Sequence, residues 1–202
     1  MDNKALYKIG YGLYILTVKS PDGELDNGCI INTAVQVTDS PKAISITVNK
    51  SNLTHDMIME TKEFNLSVIS DEAPFALFER FGFKSGRDTN KFDDNIEAGR
   101  SKNGICYVSR YVNAYLCCVV KATVDLGTHT MFIADVTDSE VLSEVPSMTY
   151  AFYHANVKPK PEEKNVSGYR CTICNYVYEG DTLPDDFICP ICKHGVSDFE
   201  KI

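Results

Sequence analysis

The chain has 202 residues, 44% hydrophobic and 24% charged, enough to bury a core in one or two domains and too ordinary in composition for disorder to be its main state. Twenty basic against twenty-eight acidic side chains give a net charge of −8, and without any block of Lys or Arg this disfavours nucleic acid as a partner. No apolar stretch approaches the roughly 20 residues of a membrane-spanning helix. Met1-Asp2-Asn3-Lys4 leads into no signal-type apolar region, so the expectation is a cytoplasmic protein without a membrane partner.

Tyr11 to Val18 and Cys29 to Thr38 are β-branched and aromatic runs on either side of Pro21-Asp22-Gly23, which predicts an antiparallel pair with a long hairpin connection. Ala43 to Val48 is a short apolar strand. Leu53, Met57, Ile58 and Thr61 then recur at helical spacing, predicting a helix over about 53 to 62 capped by Ser51 or Asn52. Phe64 to Ser70 reads as a strand. Pro74 opens a short helix through Phe75, Leu77, Phe78 and Phe81 that Gly82 ends. Phe83 to Ser101 is polar and glycine-bearing, hence a long loop. Ile105 to Tyr111, Ala114 to Asp125 and Thr130 to Leu142 are strand-like, with a turn at Asp125-Leu126-Gly127-Thr128. Six or seven antiparallel strands with few helices predict a mainly β protein, a closed or split β-barrel.

Lys158 to Val166 combines Pro159 and Pro161 with alternating charge, the composition of a linker. The organisation is therefore a domain over 1–157, a linker over 158–166 and a small domain over 167–202. Fourteen basic and twenty acidic side chains precede the linker, three and six follow it, so both domains are acidic.

Four of the eight cysteines lie in the tail, as Cys171-Thr172-Ile173-Cys174 and Cys189-Pro190-Ile191-Cys192. Two such knuckles complete a tetrahedral four-cysteine shell in a reducing compartment. So small a domain has little core, and the metal must supply much of its folding energy. The spacing alone suits structural zinc as well as iron. Tyr169, Tyr176, Tyr178, Phe187 and Phe199 provide an apolar shell for the sulfurs, without the basic patch common in nucleic-acid-binding zinc ribbons. The runs Tyr169 to Tyr178 and Leu183 to Cys192, closing with Phe199-Glu200, resemble rubredoxin. That resemblance implies one iron held by Cys171, Cys174, Cys189 and Cys192. The segment between the knuckles is shorter than in ordinary rubredoxins and Phe187 stands where a tryptophan is usual, as in the rubredoxin-like tails of multidomain redox proteins. Cys117 and Cys118 are strand neighbours whose side chains face opposite ways, predicting one buried and one half-exposed thiol and no redox pair.

A one-electron iron fed by a hydride donor needs a group that splits the electron pair, which a flavin does. Asn32-Thr33-Ala34-Val35-Gln36 breaks an apolar strand with amides and small residues, where backbone groups could meet a flat ring. Asn49-Lys50-Ser51-Asn52-Leu53-Thr54 ends a strand and opens a helix, joining a cation and hydroxyls to free helix N–H groups, which suits a phosphate. The loop Phe81 to Phe92 adds Ser85, Gly86, Arg87 and Lys91. Each segment alone is also compatible with an ordinary strand edge, helix cap or basic loop.

Together, in this order, the three segments resemble the flavin reductase-like FMN-binding split barrel, from about Tyr7 to His154. By that resemblance Asn32, Thr33, Ala34 and Gln36 line the isoalloxazine, Asn49, Lys50, Ser51 and Thr54 hold ribityl and phosphate, and Ser85, Gly86 and Arg87 close the phosphate side. His129 and His154 fall in stretches recognisable in the family and read as core or surface histidines. Nothing resembles G-x-G-x-x-G, so NAD(P)H would stack transiently on the flavin. Fused to a rubredoxin tail, the barrel is similar to NADH oxidoreductases of anaerobic bacteria that feed flavodiiron proteins reducing O2 or NO. The resemblance implies a homodimer relaying electrons from NADH through FMN to the iron and on to a soluble acceptor. The other readings are a free-flavin reductase with a zinc-bound structural tail, or a non-catalytic FMN-binding or zinc-ribbon interaction protein.

Overall fold

The computed structural model describes residues 5, 8–93, 95–159 and 168–202. Most of the expected linker, residues 160–166, lies outside the described residues, as do Met1 to Lys4, Leu6 and Tyr7. Seven strands form one antiparallel sheet: β1 (Tyr14–Lys19), β2 (Asp26–Ile31), β3 (Ala34–Asp39), β4 (Lys42–Asn49), β5 (Glu63–Ile69), β8 (Val112–Asp125) and β9 (His129–Val141), in the order β2-β1-β5-β8-β9-β4-β3. The two edge strands, β2 and β3, are consecutive in the chain, so the sheet curls back on itself. Leu16, Ile31, Ile46, Leu66, Cys118 and Phe132, each from a different strand, share one buried cluster. Helix α1 (Leu53–Thr61) closes the barrel by inserting Met57 and Ile58 into that cluster. Burying apolar area at roughly 25 cal/mol per Å² makes this shared interior the main source of barrel stability.

A second apolar cluster lies on the outer face of β1 and β5. Leu13, Ile15 and Ile69 pack there against Leu77, Phe78 and Phe81 and against Met148 and Tyr153. The first of these partners come from α2 (Phe75–Phe78) and the π-helical turn Glu79–Phe83, the last from α3 (Tyr150–Phe152) and the π-helical turn Tyr153–Val157. A short hairpin of β6 (Ala98–Arg100) and β7 (Cys106–Val108) covers the remainder.

Three expectations change in detail, and the cap expectation for α1 narrows to one residue. Cys29 to Thr38 is two strands, because Thr33 Oγ1 donates to Thr47 O (3.0 Å) and accepts from Thr47 N (3.2 Å), turning the chain between sheet edges. The cap of α1 is Asn52, and its far end closes at Lys62 in the left-handed region. The helix after Pro74 continues one residue past Gly82 as a π-turn. Cys117 and Cys118 are both buried, 1% and 0% exposed, and neither is a half-exposed thiol. A strand predicts opposite faces, and here both faces are covered, Cys118 by the barrel interior and Cys117 by the Ser101 segment. Burial raises both thiols, Cys118 to about 12, so they stay protonated at neutral pH.

The tail is a three-stranded sheet of β10 (Tyr169–Cys171), β11 (Val177–Tyr178) and β12 (Phe199–Lys201), with β10 central. Among the described residues no helix is long and apolar enough to cross a membrane.

Candidate flavin and metal sites

The two knuckles of the tail have the same backbone plan. Asn175 N donates to Cys171 O and Lys193 N to Cys189 O, each at 2.9 Å, while Cys171 N donates to Tyr176 O and Cys189 N to His194 O, each at 2.8 Å. Asn175 and Lys193 hold φ of 64° and 62°, the left-handed step that lets each chain fold back over its sulfurs. The four Sγ atoms converge within 4.8 Å of one another, with Cys171 to Cys192 at 3.5 Å and Cys174 to Cys189 at 3.4 Å. A tetrahedral ion at a metal–sulfur distance of about 2.3 Å separates its sulfurs by about 3.8 Å, close to this spacing. Cys171 and Cys189 are fully buried, and Phe187 contacts Tyr178 and Phe199 edge-on beside them. Burial pushes the Cys171 thiol up to about 11 against the backbone amides of Cys174 and Ile173, which pull it down. The Cys192 side chain, followed by burial, raises Cys174. Thiols raised in this way, as those of Cys171 and Cys174 are, give up their protons when a metal binds. The donor set fits the iron that the sequence implied.

In the barrel, Thr33 and Ala34 stand where β2 passes into β3, opposite Thr47 and Ile46 of β4. Gln36 is exposed further along β3, its amide donating to Thr38 O at 3.3 Å. Two residues beyond Thr47, at the end of β4, Asn49 Oδ1 accepts from Ser51 N at 2.9 Å, and the following Lys50 pairs its Nζ with Asp125 at 2.7 Å. Helix α1 begins directly after; His55 N already donates to Asn52 O at 3.0 Å, and the amides of Leu53 and Thr54 precede the first intrahelical acceptors. Thr54 in that turn is buried and accepts from Asn27 Nδ2 at 3.0 Å. Asn27 is also where the loop arrives: a Cβ on Gly86 would collide with the Asn27 amide. Arg87 N donates to Ser85 Oγ at 3.2 Å, and the Arg87 guanidinium donates to Asp56 Oδ2 of α1 at 2.6 Å. The helix start, Thr54 and Ser85 to Arg87 thus adjoin through Asn27 and Asp56, while Lys50 at the end of β4 is turned toward Asp125. Amides of a helix start, hydroxyls and a guanidinium are groups of the kind that can meet an anion.

Lys91 and the histidines take definite places around these elements. Lys91 is 4% exposed and donates to Gly28 O at 2.8 Å and Phe81 O at 3.3 Å, clasping the loop to β2. Burial holds its pKa below the ordinary lysine value, the Cys29 thiol beside it acting the other way. His55 Nε2 meets Thr130 Oγ1 at 2.9 Å and its Nδ1 meets Asp56 at 3.1 Å, so this buried histidine braces α1 against β9. His129 sits at the start of β9 with Nδ1 2.8 Å from Thr128 Oγ1; burial lowers its pKa, and so does His194 of the tail. His154 lies edge-on to Tyr150 and Tyr153, and burial lowers its pKa.

Residues 6–160 match the flavin reductase like domain and residues 169–200 the rubrerythrin, rubredoxin-like domain. The chain belongs to the flavin reductase-like family. The high molecular weight rubredoxin of Moorella thermoacetica is 41% identical over the whole length of both chains. The ferric-chelate reductase (NAD(P)H) of Archaeoglobus fulgidus is 39% identical, covering 79% of this chain and 93% of its own. Among solved structures, the NADH:FAD oxidoreductase of Streptomyces globisporus C-1027 superposes with a TM-score of 0.64 at 20% identity, over 73% of this chain and 88% of that one. This flavin reductase-like protein is an oxidoreductase with a rubredoxin-like tail built on four cysteines.

Proposed function

We propose that this chain carries electrons from NADH through FMN to one iron held by Cys171, Cys174, Cys189 and Cys192, and on to a soluble acceptor, a flavodiiron protein that reduces O2 or NO. The observation that carries the reading is the convergence of four thiols in a tail covalently joined to a flavin reductase-like barrel. FMN, when bound, accepts a hydride and gives up its electrons singly, which is the chemistry that links a two-electron donor to a one-electron iron.

The protein's part is placement. Asn32, Thr33, Ala34 and Gln36 border the ring, with Thr33 held by both backbone groups of Thr47. Asn49, Lys50, Ser51 and Thr54 take the ribityl chain and phosphate, and Ser85, Gly86 and Arg87 close over the phosphate. Lys50 and Arg87 each share their charge with a carboxylate, Asp125 and Asp56, so they arrive oriented but partly neutralised. No G-x-G-x-x-G is present, which leaves the nicotinamide to stack on the flavin from the open side.

A second copy of the chain completes the assembly as a homodimer. Val35 and Val37 on edge strand β3 are 60% and 50% exposed, beside a groove of about 380 Å³ lined by Tyr14, Ala34, Ile44, Leu66 and Leu116. On the tail, Ile188 and Ile191 stand exposed beside Cys189 and Cys192, an apolar exit face within an acidic domain that favours a basic docking patch on the acceptor. The unpaired buried thiols Cys29, Cys106, Cys117 and Cys118 suit the reducing cytoplasm.

The test is a visible spectrum of the protein purified without added metal, followed by anaerobic titration with NADH. Ferric-thiolate and flavin bands that both bleach are the expected result. A flavin spectrum with zinc in the tail, and failure to load iron, would replace the relay with a free-flavin reductase carrying a structural tail.

A further inference from the structure

The barrel does not end at its last helical turn. Lys158 follows the π-helical turn Tyr153–Val157, and its backbone N–H closes that turn on Tyr153 O at 2.8 Å. Its side chain leaves the barrel altogether: Lys158 Nζ donates to Thr172 O of the tail at 2.9 Å. Thr172 lies inside the first knuckle, between Cys171 and Cys174. Its own amide and hydroxyl are fixed to Asp198 O at 2.8 and 3.0 Å, so the carbonyl that receives the lysine is rigidly held. One residue on, Pro159 O accepts from Asn175 Nδ2 at 2.9 Å. Two successive residues of the expected linker are thus bonded to the same knuckle, at its second and fifth positions.

This contact brings a cation to the metal site. Lys158 feels the charges of Cys174, Cys171 and Cys192, each of which raises its pKa against the larger lowering effect of burial. Within the tail, Arg170 is turned toward Glu200, Lys193 belongs to the second knuckle, and Asp185 and Asp186 add negative charge between the knuckles, so Lys158 is the cation that the barrel brings to the first knuckle.

We propose that Lys158 is a positioning residue that seats the first knuckle on the end of the barrel and raises the reduction potential of the iron by placing an ammonium beside its thiolates. The inference rests on the iron reading above and adds a residue to it. An iron bound by four thiolates carries a net charge of −1 when ferric and −2 when ferrous. One electron enters on reduction and no bond is broken. A fixed neighbouring cation stabilises the more negative state more strongly, in a partly buried site where solvent screens it little. The coupling is reciprocal: reduction tightens the seat of the knuckle on Lys158, and oxidation loosens it. The electron therefore favours the tail held at the barrel, and a tail that has passed its electron on is the one more readily exchanged.

The experiment is a spectroelectrochemical titration of the iron in the full-length protein, followed at the ferric-thiolate absorption, for the native chain, Lys158→Gln, Lys158→Met and Lys158→Arg. Iron content and the ferric spectrum report that the tail is assembled in each variant, and bleaching of FMN by NADH reports the barrel. Both neutral variants should titrate at a lower potential than the native chain, and the arginine variant should stay close to it. Neutral variants that titrate with the native chain would overturn the assignment, as would an arginine variant that falls with them. A native chain that takes zinc and refuses iron would instead sink the relay itself, and this inference with it.

Discussion

Gly86 rests directly on Asn27: a Cβ added at position 86 would run into all three heavy atoms of the Asn27 amide group, and that amide in turn donates to Thr54 Oγ1 at 3.0 Å. The loop, strand β2 and the start of α1 are therefore locked through one side chain. Gly86→Ala forces either the loop or the amide to move, an overpacking cost of about 1–3 kcal/mol. The expected result is FMN binding weakened by about tenfold or more, with the iron spectrum unchanged. Fluorescence titration of the apoprotein with FMN measures it, and native affinity in the variant would remove Gly86 from the phosphate corner.

Asp56 and Arg87 make the second tie of the same loop. The hydrogen bond from Arg87, followed by opposing burial and a bond from His55, leaves the Asp56 carboxyl below its ordinary 3.8. A depressed folded-state pKa contributes stability that is present above the unfolded value and lost as pH falls through the folded one. Both side chains are half exposed, so the contribution is at most about 1 kcal/mol. Asp56→Asn should be less stable than the native chain at pH 7, and the gap should narrow as pH falls below the carboxyl's ordinary 3.8. Denaturant unfolding across that range checks the sign; a gap that widens in acid would contradict it.

Lys91 is a buried cation held by two carbonyls. Lys91→Met keeps the length of the side chain and leaves Gly28 O and Phe81 O without their donor, at a cost of about 1–3 kcal/mol per abandoned buried group. Relief of the buried charge offsets part of this, so a net loss of about 1–3 kcal/mol is expected. It should come with faster proteolysis within residues 84–93, since the clasp holds that loop. Unchanged stability and protection would show that the loop is held by Arg80, Asp93 and Arg87 alone.

Cys174→Ser removes one of four sulfurs from a tail with little apolar core. Iron content and the ferric-thiolate spectrum should be lost, while NADH continues to bleach FMN and transfer to an external protein acceptor falls to background. Transfer at the native rate would place the exit from the flavin elsewhere and discard the relay.

The parts legible in the sequence are those built within a few residues of themselves. Each metal knuckle closes on its own hydrogen bonds over five or six residues, so two C-x-x-C steps and the aromatics around them specified a four-thiolate metal domain outright. Helix α1, the β8–β9 turn and the antiparallel pairing of β1 with β2 were equally local, carried by helical spacing, turn chemistry and alternation. The segments of the proposed phosphate corner were legible only separately, because what joins the loop to β2 and α1 is Asn27 meeting Thr54 across 27 residues and Lys91 meeting Gly28 across 63.

Tertiary structure alone decided the rest. Whether Cys117 is covered depends on a segment that returns over its face, which strand periodicity does not encode. That Lys158 reaches the first knuckle depends on a bond from the end of the barrel into the tail, whereas in the sequence it is one charge of a linker. Side-chain chemistry and local spacing fix which groups can bind metal or anion. Which charge stands beside which site is fixed by chain crossings whose closure no local pattern reports.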